Sequence, residues 1–232
     1  MDRAARSPAS TEPLRAAGKL GAVHFQFAPL VVSNPDGRAH VDHCADQMEG
    51  FTVAAEFRHR SWFSEAAAAG TLQIERSRHL VNVIVDEPQG SGNIVPAVWE
   101  VTNDGLAIVR LHGRNHETWN VKDAKAASDR FNYDYSDEEL AELAEKIRII
   151  ASQVSRTHVI FNNNYVYTVM LSSVRWLALD AQLRRGPASG GLAPYVGRSS
   201  THLSPSTSVG PNGGSQGKTA VCSSAPTGSR QV

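Results

Sequence analysis

Charge of one sign is missing from this sequence: 23 Lys and Arg offset 23 Asp and Glu, for a formal net charge of zero. Without a global basic field the chain has little with which to hold nucleic acid or an anionic membrane surface. Long apolar runs are missing too. None approaches the roughly eighteen residues of a spanning helix, so no membrane partner is expected. Cysteine is scarce, with Cys44 in the body and Cys222 near the end. Such a pair makes no disulfide framework and suits a reducing, cytoplasmic compartment. The opening MDRAARSPASTEPL mixes Arg with Asp2 and Glu12 and lacks the apolar core of a secretory leader. A Gly-rich phosphate loop, a nucleophile elbow and a Cys-His nucleophile pattern are also absent, and no cofactor class can be assigned.

What is present falls into three stretches. Residues 1–13 are featureless and expected to be disordered. Residues 184–232 are dominated by Gly, Ser, Pro and Thr, a composition that cannot bury a core and is expected to be disordered as well. Between them, residues 14–183 form the expected folded domain, large enough to bury a real core.

Within that domain short apolar runs alternate with helical patterns. AVHFQF (22–27), VAAEF (53–57), LVNVIVD (80–86), LAIVRL (106–111) and HVIF (158–161) read as buried strands. Helices are expected at 38–48, 64–79 and 136–152. In the last, Ser136 and Glu139 form a capping box, and Leu140, Leu143, Ala144, Ile147 and Ile150 form one apolar stripe. This alternation predicts an α/β fold: a partial, TIM-barrel-like (β/α) barrel of about five parallel strands joined by crossover helices.

Alternate side chains of a strand face opposite ways. The rule sets Val23, Phe25 and Phe27 against His24 and Gln26, and Val53, Ala55 and Phe57 against Glu56 and Arg58. It sets Val81, Val83 and Val85 against Asn82 and Asp86, Val109 and Leu111 against Arg110 and His112, and Val159 and Phe161 against Asn162. If the apolar faces pack on helices, the polar faces converge near the C-terminal strand ends, where β/α barrels carry their active sites. Buried charges need partners or a ligand, so the cluster reads either as a site or as a structural ion network.

Glu56 beside Arg58 and Arg110 suits an anchor or base better than a general acid, because a neighbouring guanidinium keeps a carboxylate ionised. Asp86 either orients a ligand or caps a turn. His112 could exchange protons near neutral pH, and Gly113, Arg114 and Asn115 could bind an anion. Trp119, Tyr133 and Tyr135, in the long connection after Gly113, either cover a ligand or pin the loop. Metal binding is a poorer option, since His40, His43 and Cys44 lack the rest of a zinc ligand set.

In order, KLGAVHFQFAP, AAEFRHRSWF, the strand ending in Asp86, VRLHGRN and FNNN resemble the YecE-like proteins, domain of unknown function 72. The likeness runs from about Leu14 to Tyr165. It implies a TIM-related barrel without an established reaction, and it adds His59, Trp62 and Asn163 to the expected pocket. It also implies further β/α units at the N-terminus and a different helix after FNNN, where YVYTVMLSSVRWLALDAQL stands. The expectation is therefore a truncated chain with a reading-frame change near Tyr165, marginal or inactive alone. As a whole the sequence points to Glu56, Asp86 and His112 as catalytic candidates, with Arg58, His59, Trp62, Arg110, Arg114, Asn115, Asn162 and Asn163 holding a small anionic or polyhydroxylated ligand. The alternative is a nucleic-acid or protein interaction module using Arg58, His59 and Arg60.

Overall fold

The computed structural model describes residues 7–90, 92, 94–117, 119, 131–163, 172–177 and 220–224. Five parallel strands are joined edge to edge in chain order: β1 (Val23–Phe27), β2 (Val53–Phe57), β3 (Val81–Asp86), β4 (Ala107–Leu111) and β5 (Thr157–Phe161). A sixth, β6 (Ala220–Ser224), pairs antiparallel with β5. Each parallel strand sits within a residue or two of its expected run. Among the described residues four helices of ten or more residues are present: α1 (Ser7–Ala16), α2 (Pro35–Asp46), α3 (Ala68–Ser77) and α4 (Asp137–Ala151). The fold is α/β and TIM-barrel-like. No described helix is long and apolar enough to cross a membrane.

Local chemistry explains the helix boundaries. Asn34 caps α2 by accepting from the Gly37 amide, and Pro35 opens it where no amide proton is needed. The Ser136–Glu139 capping box forms as expected, and Leu140, Leu143, Ala144, Ile147 and Ile150 are buried. That stripe packs on Val109, Leu111, Val159 and Phe161, while Val41, Cys44 and Leu72 from α2 and α3 pack with Val53, Ala55 and Phe57. The apolar faces of four strands therefore meet the helical layer, as parity requires.

β3 does not follow. The register aligns Val85 with Arg110 and Asp86 with Leu111, so Val81, Val83 and Val85 lie on the face opposite the helices. They pack there with Ala54 and Ile108. Asn82, Ile84 and Asp86 face the helical side instead. The difference arises because β3 is buried on both faces, so its all-Val face does not mark the side that meets the helices. On the helical side no helix joins β3 to β4 among the described residues. A strap containing Pro88, Gly90 and Pro96 does, and its Val98 and Glu100 carbonyls accept from the Asn82 amide. Asn82 is polar because its cover is open backbone.

Two short elements fall where disorder was expected. α1 starts at Ser7, within residues 1–13; Lys19 donates back to the Leu14 carbonyl, and the Arg15 guanidinium lies over Phe51. Its ten residues carry no apolar stripe long enough to reveal a helix. β6 lies within residues 184–232, and AVCSS is a β-prone patch in that tail. The remainder of the tail falls outside the described residues.

Candidate functional site

Glu56, on β2, is fully buried and gathers four side chains from three strands. His24 Nε2 on β1 lies 3.1 Å from Oε2, Arg58 Nη1 3.2 Å from Oε1, and His112 Nε2, just past β4, 3.5 Å from Oε1. Arg110 Nη1 on β4 also donates to Oε2, and to Gln26 Oε1 at 3.0 Å. Arg58 Nη1 reaches a second buried carboxylate, Glu87 Oε2, at 3.1 Å. The Asn162 amide nitrogen is 2.8 Å from His112 Nδ1. If it donates there, the neutral ring carries its proton on Nε2, facing Glu56.

These contacts separate the protonation states. Burial alone would raise the pKa of Glu56, but hydrogen bonds from His112 and His24 and the Arg110 charge hold it well below the ordinary carboxylate range. Burial pushes Glu87 upward, against Arg58 and the Val95 amide. Burial pushes His112 down to about 4, so its ring is neutral at physiological pH. Glu56 is thus an anchor, and His112 is a buried spacer closed over by Phe131, 5.5 Å away, and Trp119. Arg58 and Arg110 retain slight exposure, 13% and 12%, and His24 is the most open of the group at 29%. The arrangement presents cationic donors at its rim over an ionised carboxylate. Among the described residues no three His, Cys, Asp or Glu side chains are grouped to hold a metal ion.

Asp86 belongs to a separate network on the helical side. Arg114 grips it through Nε and Nη2, with contacts of 2.7 to 3.0 Å, and also reaches Glu139 and Glu142. The buried Tyr135 hydroxyl donates to Asp86 Oδ2 and accepts from the Gly113 amide, each at 2.8 Å. Gly113 has a φ of +90°, and a Cβ there would lie 2.5 Å from Tyr133 Cβ, so the turn requires glycine. Asp86 and Arg114 therefore lock the turn after His112 and do not line the Glu56 cluster. Asn115 binds the Asn132 carbonyl and the Glu117 amide, and Asn163 binds the Tyr133 carbonyl and Ser172. His59 caps the short helix Arg60–Phe63 through the Ser61 amide. Trp62 is core, stacked 4.2 Å from Phe57 with its indole donating to the Val31 carbonyl.

Sequence reasoning brought Glu56, Arg58, Arg110, His112 and Asn162 together and left out Glu87 as a cluster member. Had β3 been aligned by its Val81–Val83–Val85 series, the next residue of that series is Glu87. His24 and Gln26 fell on the correct face but were not advanced as site residues.

The sequence matches the family described as "Protein of unknown function DUF72" over residues 2–188. The chain belongs to that family. It is 32% identical over 157 residues to the "UPF0759 protein YunF" of Bacillus subtilis (strain 168), covering 67% of this chain and 56% of that protein. It resembles the crystal structure of a DUF72 protein from Enterococcus faecalis V583, with a TM-score of 0.72 and 29% identity over 75% of this chain and 63% of that one. A DUF72 protein from Thermotoga maritima MSB8 gives 0.67 and 27% identity, over 78% and 65%. The chain thus spans less than two thirds of the length of these DUF72 relatives.

Proposed function

We propose that the sheet face opposite the helices binds a small anionic ligand, polyhydroxylated forms included, through Arg58 and Arg110 at the C-terminal ends of β2 and β4. What supports this reading is the convergence of two largely buried guanidiniums on Glu56, a carboxylate held ionised and fully buried. A pair of guanidiniums pinned beforehand loses less entropy on meeting an anion than free side chains would. Glu56 acts as their anchor, and Asn162 steadies His112 behind it. Turnover at this site would need a proton donor other than Glu56, whose surroundings keep it deprotonated. Cytoplasmic residence is part of the proposal and rests on the sparse cysteine content.

The test is a thermal-shift series with inorganic phosphate and with D-gluconate, an anionic polyol, on the wild-type chain, Arg58→Ala and Arg110→Ala. Either probe should raise Tm of the wild type in a saturable manner, and both variants should lose the response. A response that survives in both variants would remove this cluster from ligand binding.

A further inference from the structure

We infer that His24 is a ligand-contacting residue of this site, oriented by the buried carboxylate of Glu56, and that the anion it serves is a tetrahedral oxyanion of the phosphate or sulfate class. This inference rests on the reading of Arg58 and Arg110 as anion-binding groups.

Three observations carry it. The first is access. Glu56 and His112 are closed to solvent, whereas the His24 side chain, 3.1 Å from Glu56, keeps 29% of its surface open on the same face. A group that touches a ligand must be reachable, and His24 is the reachable imidazole of the cluster. The second is orientation. Glu56 Oε2 takes the Nε2 proton, and no other hydrogen bond engages the ring among the described residues. Its Nδ1 is therefore the position left for a ligand. A buried carboxylate that fixes one imidazole nitrogen and frees the other is a recurrent way to set tautomer and direction.

The third is the number of strands that supply donors. His24 comes from β1, Arg58 from the end of β2 and Arg110 from β4, and all three meet one carboxylate. A planar carboxylate ligand presents two oxygens. A tetrahedral oxyanion presents three or more in different directions and suits donors arriving from three strands.

Glu56 from β2 meets His24 directly, and through Glu56 the imidazole is linked to Arg58 after β2 and to Arg110 and His112 at the end of β4, with Glu87 joined in turn to Arg58. Protonation of His24 adds a donor at Nδ1 and a positive charge. Loss of that proton leaves a lone pair facing the anion.

Sulfate is the probe of choice because it is a tetrahedral oxyanion that carries no titrating proton near neutral pH. Calorimetric titration of the full chain should give saturable binding, and His24→Gln, which keeps a polar side chain at the rim, should weaken it at least roughly fivefold. Arg110→Ala should abolish binding. In the wild type, imidazole nitrogen NMR should show the Nδ1 signal of His24 shifting when sulfate is added. Undiminished affinity in His24→Gln or an Nδ1 indifferent to sulfate overturns the role of His24 while leaving the arginine site intact. Sulfate binding that Arg110→Ala does not weaken overturns the anion site itself, and the role of His24 with it.

Discussion

Glu56 and Glu75 are both shut away from water, and their surroundings drive them to opposite states. Glu56 has cationic and imidazole partners; among the described residues neither carboxylate oxygen of Glu75, on α3, has a hydrogen-bond partner. Burial raises Glu75 from 4.5 to about 8. Its folded pKa thus exceeds its unfolded one, so the stability it contributes is fully present below 4.5 and drains away as pH rises toward about 8. Glu75→Gln should abolish that loss and raise Tm by roughly 5 °C or more at about pH 8, with no gain at about pH 4. An unchanged Tm at the higher pH would show that the carboxylate has found a partner. The acid limb has another origin. His112 is depressed from 6.5 to about 4, so the unfolded chain takes up a proton that the folded chain refuses, and stability falls as pH drops through that window. Glu56, also depressed, adds to the loss below its ordinary range. His112→Gln should weaken the decline between 6.5 and 4 as followed by urea unfolding; an identical slope in the variant would contradict this assignment.

At the scale of elements, the turn after β4 is held by α4 and the loop before it. Tyr135 ties the Gly113 amide to Asp86, and Arg114 spans from Asp86 to Glu139, the capping-box residue of α4. Removing the hydroxyl in Tyr135→Phe leaves a buried amide and a carboxylate oxygen each short of one partner, at a cost of about 1–3 kcal/mol. Amide exchange at Gly113 should accelerate at least tenfold in that variant, and exchange as slow as in the wild type would show that the hydroxyl is dispensable. These elements also mark how far the sequence could be read. Strands and the capped α4 were legible because periodicity and capping chemistry are local. The Glu56, Arg58, Arg110 and His112 grouping was legible because parity holds on strands whose two faces differ in polarity. On β3 the all-Val face is the one turned away from the helices, so the rule puts Asp86 on the wrong face and misses Glu87. His59 and Trp62 lie in a distinctive motif, yet one caps a turn and the other fills the core; a motif alone does not say which way a side chain points.

At the scale of the molecule, the sheet is parallel from β1 to β5, and its β1 edge pairs with no other described strand. Val23 donates inward to the Thr52 carbonyl, so by alternation the amides of His24 and Gln26 point away from β2. An open strand edge recruits other strands. The chain is expected to self-associate with rising concentration, as seen by light scattering, and a constant monomer mass would contradict this. Family membership fixes the architecture, while the chemistry rests on the Glu56 cluster. The most direct test is an anomalous difference map from crystals of the chain soaked in selenate, a heavy analogue of sulfate. The account predicts a peak bridging Arg58 and Arg110 within reach of His24. Selenate found beside Arg114, or elsewhere on the protein with the Arg58–Arg110 site empty, would contradict it.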